Sequence, residues 1–436
     1  MSRVSSYRMR YLLSCRRHFP GKPATGRMAG LACGIGVLVR CIFVAGAVIG
    51  AASPGYGWNP AASDRLSQLI GEKDSVAVMD TRNQLVYGKN VDQPRIPAST
   101  LKLLTGLVAI DTFGPDYRFR TDFYTDDARS LKVKGFGDPL LVSEVLSEIA
   151  GRLTERLMEP TKDLVLDDTF FQEPLLIPGV TDSLNPYDAP NGALCANFNT
   201  VYYQRKNGAY ISAEPQTPLL PVVMDRIRRS GVDNGRIVLS HRKQELLMYA
   251  GQLLAYFLAG KGHPVQGTIR AGRVNSGTDR LIMRHHSPFT MTQVIERMLE
   301  FSNNYVANQV LIAAGARIYG PPGTLEKGVR ALKDYLTTHM KPTGAVIVEG
   351  SGISRKNRLT ARTMLCILEG FTPYRHLLQQ DGPVRFKTGT LHGIRTRAGY
   401  IEGGGENVYR FVILLNSNRH SPDRIVSIIQ RGLEEE

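Results

Sequence analysis

Residues 97–114 read PASTLKLLTGLVAIDTFG, a run that is apolar on nearly every side apart from Lys102, one turn after Ser99. Such a run predicts a buried helix from Ser99 to Phe113, ended by Gly114 and Pro115, rather than an amphipathic surface helix. A charge at the head of a buried helix needs a reason. Residues three apart on a helix share a face, so Lys102 can reach back to Ser99. A serine hydroxyl is a weak nucleophile until a base within reach takes its proton. Desolvation lowers a lysine pKa towards the neutral amine that a base must be. Ser99 is therefore the candidate nucleophile and Lys102 the candidate base, although this spacing also arises by chance in a chain of 436 residues.

Two other stretches strengthen the pair. FSNNYVANQ, residues 301–309, places Ser302 and Asn304 at a polar break between two apolar helical runs, where side chains can face a cleft. VRFKTGTLHGIR, residues 384–395, places Lys387, Thr388, Gly389 and Thr390 at the end of a strand-like run. Competing stretches exist. Ser240 and Lys243 in SHRK repeat the serine-lysine spacing, and Ser183 to Asn185 is a second Ser-x-Asn. Ser240 is set aside because His241 and Arg242 fill the intervening positions, no hairpin and proline precede it, and the following helix is less buried.

Outward from the helix, SVAVMDTRNQLVYGKN predicts a hairpin with strands at Val76 to Met79 and Leu85 to Tyr87. From about Tyr117 to Ser240 the texture becomes strand-like, with RFRTDFYT, LKVKG, DLVLDD and a hairpin TVYYQRKNGAYISAEP turning at Asn207 and Gly208. This predicts a β-rich inserted domain at 117–240. Helical periodicity returns in QELLMYAGQLLAYFLAGKG and in MTQVIERMLEFSNNYVANQVLIAAGA. The tail holds three strand-like pieces, VRFKTG, TRAGYIE and VYRFVILLN, then a helix opened by Ser421 and Pro422. Strands at both ends with helices between them predict an α+β layer closed by its own termini.

Composition sets outer limits. At 42% hydrophobic and 21% charged, the chain has the profile of a globular protein large enough for two domains. The net charge of +15 suggests nucleic acid until its location is considered. Residues 1–52 carry eight basic side chains and no acid. No basic stripe interleaved with aromatics follows, so nucleic acid is not an expected partner. The basic segment 1–27 and the apolar segment 28–53, interrupted by Arg40, together read as an export signal or a retained N-terminal membrane anchor. Outside this leader, only Cys195 and Cys366 remain, both in apolar settings that suit buried small residues. The histidines show no zinc-type spacing, and no metal is expected.

A serine with a lysine, then Ser-x-Asn, then Lys-Thr-Gly, in that order, is the motif set of serine penicillin-recognising enzymes. With PASTLKLLTG, GFGDPLL, SAEPQTPLL, SNNYVANQ, GSGISRKNRLTA and KTGTLHGIRTRAGY, the chain from about Asp64 onward resembles the D-alanyl-D-alanine carboxypeptidase/endopeptidases of the class C low-molecular-mass penicillin-binding proteins. The resemblance implies a β-lactamase/transpeptidase-like α+β domain at 62–116 and 241–436, with an antiparallel sheet and helices, split by the insertion at 117–240. It implies an extracytoplasmic enzyme, with peptidoglycan peptides ending in D-Ala-D-Ala as substrates and β-lactams as covalent inhibitors.

The resemblance also implies roles. Ser99 attacks the carbonyl between two D-alanines and Lys102 serves in acylation. Ser302 relays a proton to the leaving amine, and Asn304 holds Lys102 and the substrate amide. Lys387 and Thr388 bind the terminal carboxylate, while the N–H groups of Ser99 and Thr390 form the oxyanion hole. No cofactor is expected. Two residues depart from the family pattern: Glu349, where an aspartate is expected, and Arg397, where an aromatic is commoner. Neither is expected to touch the catalytic positions, and Arg397 is a candidate for altering substrate preference. The alternatives are β-lactamase or esterase activity on the same fold, and a non-catalytic peptidoglycan-binding module.

Overall fold

The computed structural model describes residues 58–340, 344–403, 407–417 and 419–434; the leader lies outside the described residues. Among them, no helix is long and apolar enough to cross a membrane.

The two ends of the chain build one sheet. Its strands run in the order Gln379–Asp381, Val384–Leu391, Ile394–Glu402, Val408–Leu415, Asp74–Met79 and Leu85–Lys89. All neighbours are antiparallel. The expected hairpin and meander meet where Asp74 lies opposite Leu415 and Met79 opposite Arg410. Side chains alternate across a strand, and here both faces are covered. Val76 and Val78 join Phe411 and Ile413 against helices Pro60–Leu69 and Pro422–Glu434. Ala77 and Met79 join Val412 and Leu414 against the catalytic helices. For this reason every residue of Asp74–Met79 is buried.

The helix expected at 99–113 begins as a 3-10 turn, Ala98–Leu101, and continues as an α-helix, Lys102–Phe113. Gly114, at φ +87°, ends it in a backbone region that glycine enters without steric cost. Residues 102–110 are all buried. Helices Met291–Glu300, Asn304–Tyr319, Leu325–Met340 and Ala361–Phe371 supply the surrounding core. Each fully buried leucine, such as Leu103 or Leu104, contributes roughly 1.5–3 kcal/mol. The position of Ser99 is thus tied to the largest apolar cluster of the protein.

The segment after Tyr117 holds the expected strands at Arg120–Thr125, Leu131–Gly135 and Leu164–Asp167. Its hairpin pairs Thr200–Lys206 with Ala209–Ser212, and the turn residues Asn207 and Gly208 have φ of +51° and +79°. Two features depart from the β-rich reading. Helices Ser143–Thr154 and Pro221–Ser230 interrupt the strands. The first is the crossover that the parallel pairing of Leu131–Gly135 with Leu164–Asp167 requires.

Nor does the inserted sheet stop at 240. Strands Ile269–Ala271 and Arg280–His286 form the two edges of the five-stranded sheet. Helix Lys243–Gly260 shares a core with helix Ser143–Thr154, through Leu246 and Leu253 on one and Ile149 and Leu153 on the other.

Candidate active site

The turn that carries Ser99 is pinned to the sheet from both sides. Asn416, at the end of strand Val408–Leu415, accepts a hydrogen bond from Ile96 N (2.8 Å) and donates one to Ile96 O (3.1 Å). Thr396 Oγ1 donates to Pro97 O at 2.8 Å. Between these anchors and Ser99, Ala98 is held at φ +48°, a region that alanine rarely enters. Backbone strain of this kind persists only where the surroundings over-determine it.

Lys102 is fully buried, and its amine contacts Ser99 Oγ at 3.1 Å, Asn304 Oδ1 at 2.7 Å and the backbone oxygen of Ser351 at 2.7 Å. The last two can only accept, so they take two N–H bonds. A neutral amine then has a lone pair left for the hydroxyl proton of Ser99. Burial is the main cause holding the Lys102 pKa well below the ordinary lysine value; nearby Lys387 pushes it the same way, and Glu349 opposes them. Both the geometry and the lowered pKa are compatible with the role expected of Lys102.

Ser351 owes its place to Glu349. The fully buried Glu349 carboxylate accepts from Ser351 N (2.7 Å), Ser351 Oγ (2.6 Å), Gly352 N (2.8 Å) and Asn357 Nδ2 (2.6 Å), with longer bonds from Asn308 Nδ2 and Ser354 N. Asn308 Oδ1 in turn accepts from Gly350 N at 2.8 Å. Charge-assisted bonds of this kind are about twice as strong as neutral ones. Glu349 hydrogen-bonds to none of the expected catalytic residues, and reaches Lys102 through Ser351. Gly352 closes the loop over the nucleophile: at φ +83°, a Cβ placed on it would fall 1.9 Å from Ala98 O.

The polar break between helices Met291–Glu300 and Asn304–Tyr319 delivers Asn304. Asn303 caps the second helix, its side chain accepting from Val306 N at 3.0 Å. Ser302, half-buried at φ +50°, precedes Asn304 by two residues. Asn304 Nδ2 also donates to Tyr187 O at 3.5 Å, so the segment after Tyr117 reaches the site. Asn191 and Gln309 reinforce that contact at 2.9 Å.

The third stretch lies in strand Val384–Leu391. Lys387 is buried, its pKa lowered to about 8 by desolvation, and its amine donates to Thr388 O at 2.9 Å. Gly389 lets the strand pass close to the nucleophile, since a Cβ there would stand 2.8 Å from Ser99 N. The neighbouring strand Gln379–Asp381 covers only Val384 to Phe386. Residues 387–391 pair with Ile394 to Ala398 on their other edge, and Thr390 is exposed. The arrangement leaves a short strand edge beside Ser99.

The competing stretches have structural occupations. Ser240 Oγ donates to Glu245 Oε2 at 2.5 Å and accepts from Arg242 N, opening helix Lys243–Gly260. Lys243 forms an ion pair with Asp168 at 3.0 Å and its side chain is 43% exposed. Ser183 Oγ donates to Asp188 Oδ2 within its own loop. Arg397 does not face the cleft: it pairs with Asp423 at 2.6 Å and lies over the Phe386 ring, on the side covered by the terminal helices. The expectation that it alters substrate preference is withdrawn. The contributions of Ser351 and Tyr187 had no signal in the sequence, because both act through backbone oxygens.

Comparison with known proteins identifies the family and the fold. The D-Ala-D-Ala carboxypeptidase 3 (S13) family matches residues 62–228 and 231–379. Among curated proteins, the chain is 24% identical over 430 residues to a D-alanyl-D-alanine carboxypeptidase of Actinomadura sp., covering 81% of this chain and 79% of that one. It is 22% identical over 420 residues to D-alanyl-D-alanine carboxypeptidase DacB of Haemophilus influenzae, covering 80% and 87%. The crystal structure of penicillin binding protein 4 from Haemophilus influenzae superposes with a TM-score of 0.69 at 19% identity, over 85% of this chain and 98% of that one, which establishes the shared fold. The match spans well over half of the sequence, and the chain belongs to the D-Ala-D-Ala carboxypeptidase 3 (S13) family.

Proposed function

We propose that this member of the S13 family is a serine-type D-alanyl-D-alanine carboxypeptidase/endopeptidase that acts on peptidoglycan stem peptides and is acylated by β-lactams. The observation that carries the proposal is the buried Lys102 amine, held by Asn304 Oδ1 and Ser351 O with one position left for Ser99. A binding module has no use for a neutral lysine poised on a serine.

The chemistry follows from these positions. A peptide ending in D-Ala-D-Ala lies along the open edge at 387–391 as an added strand, a mode that uses unpaired backbone groups. Protonated Lys387, with Thr388 and Thr390, receives the terminal carboxylate. Ser99 Oγ forms a bond to the carbonyl carbon while its proton passes to Lys102 Nζ. Charge developing on the carbonyl oxygen is met by the N–H groups of Ser99 and Thr390. Ser302 passes a proton from Lys102 to the departing amine as the C–N bond breaks. Water then attacks the ester, its proton returns through Lys102 to Ser99 Oγ, and the shortened peptide leaves.

In this reading a catalytic part at 62–116 and 241–436 is interrupted by an inserted part at 117–240, and the pairing of strand Arg280–His286 with Arg120–Thr125 supports extending the inserted part to 286. The basic and apolar leader acts as an export signal that carries the enzyme to the cell-wall side of the membrane. Incubation with fluorescent penicillin followed by peptide mapping tests the reading: the adduct is expected on Ser99, and an adduct on Ser240, or none, overturns it. Release of D-alanine and of cleaved cross-links from muropeptides identifies the two activities.

A further inference from the structure

Helices Lys102–Phe113 and Asn304–Tyr319 start at the active site, with Lys102 and Asn304 in their first turns, and their far ends meet at a second cavity. At about 1.5 Å per residue it lies on the order of 20 Å from the catalytic groups. The cavity has a volume of about 380 Å³, within the size range of small-ligand sites.

Its walls are aromatic and its rim is cationic. Phe113 and Tyr117 pack with ring centroids 4.5 Å apart and planes tilted by 34°, and Phe136 and Phe170 with centroids 5.0 Å apart and planes tilted by 60°. Arg120 lies over the Phe136 ring at 4.1 Å. Its nearest carboxylate, Asp122 at 3.9 Å, is already taken by two 2.8 Å bonds from Arg284. Arg317 is exposed in the last turn of helix Asn304–Tyr319, where a cation stabilises the helix end. That function does not require aromatic walls. Tyr117 feels both arginines, which lower its pKa against the dominant effect of burial. Arg118 and His286 add further basic groups, and no described residue lining the cavity is acidic.

Flat aromatic faces suit the C–H faces of sugar rings, and unneutralised guanidinium groups suit carboxylates. We infer that this cavity is a second binding site for a carboxylate-bearing glycan, occupied by a peptidoglycan strand while a stem peptide reaches Ser99. The inference rests on the proposed substrate. Its effect is to raise the local concentration of stem peptides on the polymer, with no effect on small substrates.

The test uses full-length protein already acylated with penicillin, so that the active site is blocked, and measures co-sedimentation with insoluble peptidoglycan. Replacing Arg120 and Arg317 together by Ala is expected to weaken binding about tenfold at low salt, with the penicillin acylation rate unchanged. Arg317→Glu, a single exposed change, is expected to weaken it at least as much. Equal binding by wild type and both variants overturns the inference. So does equally tight binding of wild type to chitin, a neutral glycan without carboxylates. Failure of penicillin to acylate the wild type refutes the catalytic reading instead, and sedimentation of unblocked protein then still decides the cavity.

Discussion

Lys102 Nζ stands 2.7 Å from Asn304 Oδ1, a contact between residues 202 positions apart that neither side chain could hold alone. It orients the amine: with N–H bonds taken by Asn304 and Ser351, the lone pair of the neutral form is left for Ser99, while burial is what lowers the pKa.

Arginine keeps the positive charge but cannot be deprotonated in a protein. Lys102→Arg is expected to acylate with penicillin at least about a thousandfold more slowly, the range lost when base catalysis and nucleophile activation fail together. Stopped-flow acylation of the folded variant measures it. A loss below about tenfold, roughly 1.4 kcal/mol, means that Lys102 is not the base.

The two buried lysines give opposite limbs to the pH profile. Lys102 must be neutral, so activity rises as pH passes its depressed pKa; Lys387 must be charged to hold a carboxylate, so activity falls as pH passes about 8. Turnover of a peptide ending in a free carboxylate should therefore decline above about pH 8, whereas turnover of its amide should not decline there. Lys387→Gln should abolish the decline and move the rising limb to higher pH, since a nearby positive charge no longer depresses Lys102. Initial rates across pH for both substrates and both proteins decide the matter.

Glu349 gathers donors from its own loop, from Asn308 and from Asn357. Glu349→Ala leaves these buried groups unpaired, at roughly 1–3 kcal/mol for each donor without a new partner. Urea unfolding should show a loss of at least about 3 kcal/mol, with slower acylation because the Ser351 oxygen is no longer fixed. Glu349→Asp should recover part of both. If acylation by the alanine variant matches wild type, the loop does not position Lys102.

Gly352→Ala places a methyl group into Ala98 O at a backbone angle that alanine avoids. The nearest atoms are backbone, with no flexible side chain to give way. Acylation is expected to fall at least about a hundredfold, the scale associated with a misplacement of about 1 Å at a reacting group. Circular dichroism and acylation kinetics on the same sample separate this from unfolding.

The catalytic helix, the meander and the serine-lysine pair were legible because each leaves a mark on side-chain pattern: an unbroken apolar run, alternating strands, a charge out of place. The Asn207–Gly208 turn was equally plain, since both residues tolerate positive φ. Helix Ser143–Thr154 carries Val145, Leu146, Ile149 and Leu153 at helical spacing, but the strand-like stretches on either side of it mask that period in the sequence. Ser351 could not be found in this way. It acts through a carbonyl that every residue possesses, and only the path of the loop selects it. Glu349 looked like a variation at a distance because burial, which makes its charge matter, is a property of the folded chain.

The clamp between Ile96 and Asn416 joins positions separated by 320 residues, three residues ahead of the nucleophile. Contacts so remote in sequence form late, and closing long loops slows folding. A chain emerging in order from a ribosome or a translocation channel displays Ser99 long before the strand that positions it. The clamp that holds the segment before Ser99 can therefore close only once residue 416 has arrived, so the folding of this turn waits on nearly the whole polypeptide.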